Sequence, residues 1–414
     1  MHYILTPFGS SGDVFPYLAI GRALRERGHD ITIVAAEPFR AAAERTGLSF
    51  VSGGSHDEYD EITHHPDLWH PRRGIRLVLG LLAGAFRDHY AILSDLYEPG
   101  RTVLVSHPLA LVTRTFEEKH RALAASIHIA PGVIRSEYIA PVFEPGFDLS
   151  RAPRWYKRGV YWVADRFFLD PHITPSLNAF RAELDLPPVR RVFHSWLHSP
   201  QLTIGIFPDW FGPLQPDWPP QTRLTGFILY DDDEAPHIEP DIEEFLAAGE
   251  PPIVFTPGTG NRQAPGFFDA AVKAVGLLGM RALLLTGYPE QLPGDLPEGV
   301  RHASYLPFSR VLPRSAAIVH HGGVGTCAQG LAAGIPQLTM PMGFDQPDNA
   351  TRLRRLGVGA WLTPRRFTPS RLAKALENLL ENSETAIACQ RYSRLVRESD
   401  ALAATCSLLE ELGR

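Results

Sequence analysis

The chain has little cysteine. Cys327, Cys389 and Cys406 are its only thiols in 414 residues. They are odd in number and widely separated, which excludes a disulfide framework and a cysteine-based metal site and fits a reduced, cytoplasmic setting. Long apolar runs are also missing. The longest, Leu77–Phe86, is about half of what a bilayer span needs and reads as a buried helix or a pocket wall. The N-terminal Met1–Phe8 has no basic lead-in, so a signal peptide is not expected. Basic charge is not in excess: the net charge is −6, which argues against a nucleic-acid scaffold. The dinucleotide fingerprint G-x-G-x-x-G is absent, since Gly9 and Gly12 supply only G-x-x-G. What remains is a globular composition, too long for one ordinary core, so two domains are expected.

The pattern along the chain is that of α/β units. Tyr3–Phe8 is strand-like, Gly9–Asp13 is a Gly/Ser loop, Tyr17–Arg27 has helical spacing that stops at Gly28, and Ile31–Ala35 is a second apolar run. Strand, loop, helix, strand opens a parallel sheet. Thr102–Ser106 and Ala124–Ile129 read as further strands. Five prolines and two tryptophans crowd Pro208–Pro220, which reads as a stiff connector. The pattern then restarts, with strands at Ile253–Thr256, Arg281–Thr286, Ala316–Val319 and Gln337–Met340. Helices are expected over Gly266–Leu278 and Cys327–Ala333, and over the tail Ser370–Leu412, with breaks near Asn382 and Asp400.

The strongest local signal is His321-Gly322-Gly323-Val324-Gly325-Thr326, between an apolar strand and a helix. Free N–H groups at a helix start favour an anion, and glycines let it reach the backbone. His321 and Thr326 add side-chain donors, so the segment reads as a diphosphate site. Gly258-Thr259 ends the preceding strand and suits the same phosphates, or an ordinary Pro-Gly turn. Tyr305, before Leu306-Pro307, is a stacking ring for a base or a core tyrosine. Asp345-Gln346 can grip sugar hydroxyls, or Asp345 can cap a helix. In the first strand-to-helix loop Asp13 is a candidate catalytic base or a cap, and a carboxylate at a helix start is a weak base. His107, after Thr102–Ser106, is the rival base or partner. Three other clusters carry blander expectations. Asp231–Glu234 reads as a solvated acidic run. His56, His64, His65 and His70 lack ligand spacing. Arg154–Phe168 mixes arginines with aromatics, and reads as a helix facing its own core, with contact to a membrane surface as the alternative.

Taken together these pieces resemble the family 1 glycosyltransferases, in the bacterial branch of sterol and antibiotic glycosyltransferases. Gly9–Pro16 with Arg27-Gly28-His29 resembles the family opening. Tyr305-Leu306-Pro307, His320–Thr326 and Asp345-Gln346 resemble its donor signature, and Phe207–Phe211 with Gln215–Pro219 its connector. The resemblance implies a GT-B fold: two Rossmann-like α/β domains with parallel sheets facing across a cleft. The expected layout is an acceptor-binding domain over 1–212, a linker over 213–236 and a nucleotide-sugar-binding domain over 237–414. The last helix, about 398–414, is expected to pack back on the first domain.

It further implies inverting, metal-independent transfer of a hexose from a UDP- or dTDP-sugar, with no other cofactor. By position, His321, Gly323, Gly325 and Thr326 would hold the diphosphate with Gly258 and Thr259. Tyr305 would stack on the base, and the Leu306 backbone would read its edge. Gln329 stands where plant relatives bind ribose with Glu. Asp345 and Gln346 would hold the sugar, and Gln346 leans towards glucose. Asp13 matches the catalytic base, while His107 stands where plant enzymes orient theirs. Trp69, Phe86 and Phe143, in variable N-terminal segments, are the expected acceptor contacts, for an apolar polyphenol, polyketide, sterol or lipid. The rival functions are a non-catalytic sugar-nucleotide-binding partner and a nicotinamide-dependent oxidoreductase.

Overall fold

A computed structural model of the chain describes residues 1–70, 73–144, 147–231, 238–262 and 264–414. The chain divides into two compact units. The first comprises Met1–Pro141, Phe147–Ile228 and Asp400–Arg414, and the second Val142–Gly146 and Leu229–Ser399.

The strands of the first unit are β1 (His2–Thr6), β2 (Asp30–Ala36), β3 (Ser49–Gly54), β4 (Thr102–Ser106), β5 (Leu123–His128), β6 (Leu202–Gly205) and β7 (Thr222–Leu224). They form one sheet in the order β3-β2-β1-β4-β5-β6-β7, with every pair parallel. The central strands are continuous apolar runs because helices cover both faces of such a sheet. Tyr3, Ile4 and Leu5 of β1 and Val103, Leu104 and Val105 of β4 are wholly buried. The order reverses between β1 and β4, where Thr6 is paired with Ser106. Such a reversal, at the carboxyl ends of the strands, is the usual ligand position in open α/β sheets.

The second unit repeats the plan with β8 (Ile253–Thr256), β9 (Ala282–Leu285), β10 (Val300–Ala303), β11 (Ala317–His320), β12 (Gln337–Thr339) and β13 (Gly359–Trp361). Its order is β10-β9-β8-β11-β12-β13, again all parallel. The reversal here falls between β8 and β11.

Several expectations change. The segment 213–236 is not simply a connector: it supplies β7, hydrogen-bonded to β6, and the unit boundary falls after Ile228. Of the acidic run, Asp232, Asp233 and Glu234 lie outside the described residues; Asp231 accepts from the Ser309 N–H. The run 77–86 divides into the helices Arg73–Gly84 and Phe86–Leu96, and Val78, Leu79, Leu82 and Phe86 enter the core of the first unit. No single described helix is long and apolar enough to cross a membrane. The final helix, Ala401–Leu412, belongs to the first unit. Glu410 accepts from Arg27 at 3.0 Å and lies 3.0 Å from His29 Nε2, and Thr405 Oγ1 bonds Thr225. Arg27-Gly28-His29 therefore ends one helix, with Gly28 in the left-handed region, and anchors another.

Candidate active site

In the second unit, β11 ends at His320 and the helix Val324–Ala333 starts after three intervening residues, capped by Gly323. The first-turn N–H groups of that helix have no carbonyl one turn back, so they face the loop. The His321 ring lies in this loop between two glycines. A Cβ on Gly258 would come within 2.6 Å of its Cε1, and one on Gly323 would overlap Nε2. Gly258 also needs φ of +92°, a conformation that glycine adopts without strain. His321 Nδ1 is buried with no hydrogen-bond partner. Burial lowers the His321 pKa to about 4, so at neutral pH the ring is an uncharged imidazole that can give one N–H to an anion.

A buried polar frame holds this loop. His320 is wholly buried, and its Nδ1 accepts from the Gly322 N–H at 3.1 Å. That contact puts the proton on Nε2, which donates to Gln337 Oε1 at 3.1 Å. Gln337 Nε2 in turn donates to the Cys327 carbonyl at 3.1 Å. From the other side Asn349 Nδ2 donates to the Gly322 carbonyl at 3.0 Å and to Asp345 Oδ2 at 2.8 Å.

Asp345 is half-buried, and desolvation of its carboxyl raises its pKa to about 6. Gln346 Oε1 accepts from the Met342 N–H at 2.9 Å and the Gly343 N–H at 3.3 Å, so its acceptor end is used by its own loop. Gln329 Nε2 donates to the Tyr230 carbonyl at 3.2 Å, which directs its oxygen to other donors. Thr259 is exposed, Tyr305 half-buried and Leu306 in the core.

In the first unit the helix after β1 begins at Ser11, earlier than the spacing implies. Asp13 is therefore in its first turn. Its Oδ2 accepts from the Ser10 N–H at 2.7 Å and the Ser10 hydroxyl at 3.1 Å, a reciprocal cap. A Cβ on Gly9, at φ of +130°, would overlap that carboxylate, so glycine at 9 is what lets Asp13 fold back. His107 follows β4, and its N–H donates to the Thr6 carbonyl at 3.0 Å. Asp13, in the first turn of the helix after β1, and His107, directly after β4, thus lie at the carboxyl ends of the two strands that flank the reversal. Burial lowers the His107 pKa to about 3, and its Nδ1 accepts from the Leu109 N–H at 3.2 Å. The lone pair is occupied and Nε2 carries the proton, so His107 is placed to donate and not to act as a base.

Segment 3–89 matches the glycosyltransferase family 28 N-terminal domain, and segment 282–403 the erythromycin biosynthesis protein CIII-like C-terminal domain. The chain is 30% identical to the O-mycaminosyltylonolide 6-deoxyallosyltransferase of Streptomyces fradiae, over 99% of this chain and 97% of that one. It belongs to the antibiotic glycosyltransferases. Among solved structures, the glycosyltransferase of kitacinnamycin superposes with a TM-score of 0.77 at 20% identity, covering 100% of this chain and 99% of that one. The spinosyn rhamnosyltransferase SpnG complexed with thymidine diphosphate superposes with a TM-score of 0.72 at 19% identity, covering 99% of this chain and 100% of that one. The fold is GT-B.

Not every residue singled out in this glycosyltransferase sits where the sequence implies. Phe86 is only 3% exposed and packs on Phe180 inside the core, so it has no surface left for an acceptor. Trp69 is half-buried against the same core. Phe143 is exposed, on a short segment that clusters with the second unit. His64, His65 and His70 bond nearby backbone groups, and His56 faces Asp60. No group of three His, Cys, Asp or Glu among the described residues is arranged to hold a metal. Asn349, His320 and Gln337 frame the site although the sequence pattern does not single them out as site residues. Asn349 follows Asp345 by one helical turn, and that i, i+4 spacing was the available signal.

Proposed function

We propose that this glycosyltransferase moves a hexose from a nucleoside diphosphate sugar to a hydroxyl of an apolar small acceptor, with inversion and without a metal. The acceptor oxygen bonds to the anomeric carbon as the bond from that carbon to the diphosphate breaks, and the diphosphate leaves with the electron pair. A single displacement of this kind inverts the centre. The His321 N–H, the Thr326 hydroxyl and the helix N-terminus meet the charge that develops on the leaving group. The hydroxyl proton goes to Asp13. Capping by Ser10 and the helix N-terminus keep that carboxylate a weak base, so proton transfer comes late, when the oxygen is already acidified by bond formation.

The observation that carries this reading is the buried, partnerless His321 Nδ1, held between two glycines at a helix start. Titration calorimetry with dTDP, UDP and the free nucleosides tests it. His321→Ala should weaken diphosphate binding about tenfold or more and leave nucleoside binding unchanged. Equal diphosphate affinities for the two proteins would remove His321 from the donor site, and inactivation by EDTA would remove the metal-free step.

For the sugar we infer a dTDP-linked 6-deoxyhexose ahead of UDP-glucose. Gln346 has committed its oxygen to Met342 and Gly343, leaving fewer acceptors for a fully hydroxylated ring. The name of the Streptomyces fradiae relative and the thymidine diphosphate in the spinosyn enzyme support the same choice. A donor panel decides it: a turnover preference for UDP-glucose would reverse the assignment.

A further inference from the structure

The helix Arg154–Ala164, which continues through a wide turn at Asp165–Leu169, is turned opposite to a normal surface helix. Its inner face is largely polar and firmly tied. Lys157 is buried, and its ammonium donates to the Tyr138 carbonyl at 2.9 Å. The Tyr161 hydroxyl donates to the Ser136 carbonyl at 3.0 Å. Asp165 is buried between Arg135 and Arg191. These bonds fix the helix rotation, and the outer face is aromatic. Trp155 is 71% exposed, Trp162 52% and Phe167 57%, with Tyr156, Val163 and Phe168 also exposed. At 100° per residue Trp155, Trp162 and Arg166 fall on one line, with Tyr156 and Val163 beside it. The expectation that this segment faces its own core holds for Tyr161, Val160 and Leu169, which pack into apolar clusters, but not for the outward aromatic rings.

The charge around this face is positive. From Arg151 to Phe168 the charged residues are Arg151, Arg154, Lys157, Arg158, Asp165 and Arg166. The one acid is buried and paired, whereas all four arginines are exposed. Arg154 and Arg158 both pair with Glu137, so Arg151 and Arg166 carry the excess positive charge of the face. This stands out on a chain whose net charge is −6. Contiguous exposed aromatics mark an interaction surface. Tryptophan and tyrosine beside arginine is the composition that settles at a lipid headgroup boundary, with rings among the upper acyl chains and guanidinium groups on phosphates. A second copy of the chain fits less well, since a twofold contact would set arginines against arginines.

We propose that this face docks the enzyme on an anionic lipid bilayer, lying in the surface without spanning it. The proposal is independent of the transferase reading.

Co-sedimentation of the full chain with vesicles tests it, using phosphatidylcholine alone and phosphatidylcholine with about a third phosphatidylglycerol. Binding is expected on the anionic vesicles only, weakening with salt over the Debye range, with a blue shift of tryptophan emission. Trp155→Ser combined with Trp162→Ser should lower the partition about tenfold or more, and so should Arg151→Glu combined with Arg166→Glu. Ile387→Ser, at an exposed apolar position on another helix, should leave it unchanged. These positions are exposed, and circular dichroism melts confirm that each variant folds. Equal partition of the unaltered chain on both vesicle types would overturn the proposal. So would undiminished binding by the tryptophan variant, or a dimer that the tryptophan changes dissociate while no vesicle binds.

Discussion

Gly323→Ala is the sharpest probe of the donor site, because it changes the site without straining the backbone. Gly323 has φ of −61° and ψ of 140°, which alanine adopts freely. The new methyl would instead lie against the His321 ring, overlapping Nε2 and 3.0 Å from Cε1. Ordinary contact needs ~3.5 Å, so the ring must retreat by roughly 1 Å. Its room to move is limited, because Gly258 also packs closely against the ring. The imidazole is therefore expected to swing out of the loop and lose the bond to the diphosphate proposed for it. A hydrogen bond to a charged group contributes about 1.5–3 kcal/mol, so affinity for dTDP or UDP should fall about 10- to 150-fold. Losing glycine at a helix cap costs folding stability only ~1 kcal/mol. Calorimetry with the diphosphate and the free nucleoside separates the two effects, since only the diphosphate should lose affinity. In a double-variant cycle, Gly323→Ala should add little to His321→Ala, because the group it acts through is already gone. Undiminished diphosphate binding by Gly323→Ala would refute the placement of the ring.

Asp13→Asn keeps an oxygen for the Ser10 cap but cannot accept a proton. Turnover should fall about 100-fold or more with donor affinity and melting temperature nearly unchanged; a variant as fast as the parent would leave Asp13 a cap alone. The buried histidines predict acid sensitivity. Burial lowers His107 and His320 to about 3, His198 and His321 to about 4, and His128 well below 6.5. On unfolding each regains an ordinary affinity for protons. Stability present above pH 6.5 is thus lost as pH falls towards 4, by up to about 1.4 kcal/mol per pH unit for each ring. Asp345 acts oppositely: raised to about 6, it adds stability at low pH that is lost as pH rises through 6. Glu117, also raised by burial, acts in the same sense as Asp345, but five rings outweigh two carboxyls, so the melting temperature should drop between pH 7 and pH 5, and a level or rising profile would contradict the burial of these rings.

Much of the backbone was legible because local signals govern it. Apolar runs bounded by glycine and proline marked β1, β8 and β11 to within about two residues, as expected for such boundaries, and the turn at His321–Thr326 stood out by composition. The weaker strands were missed for physical reasons. β3 is a half-exposed edge, and β6, β7, β10 and β13 are three or four residues each, short enough to escape notice without a strong flanking turn. Side-chain roles were less legible, since a role depends on neighbours far away in sequence. Phe86 resembles a pocket residue until Phe180 is beside it. His107 resembles a base until the Leu109 N–H occupies its lone pair. Gln346 resembles a ligand that both donates and accepts until the Met342 and Gly343 N–H groups claim its oxygen and leave its amide N–H groups to donate. The outward turn of Trp155 and Trp162 was set by Lys157, Tyr161 and Asp165 finding partners on other segments. The order of residues alone decided which strands and turns form and that glycines open an anion site. Tertiary structure decided which polar atoms are already paired and which are left for a ligand, because hydrogen-bond partners are assigned only when distant segments meet.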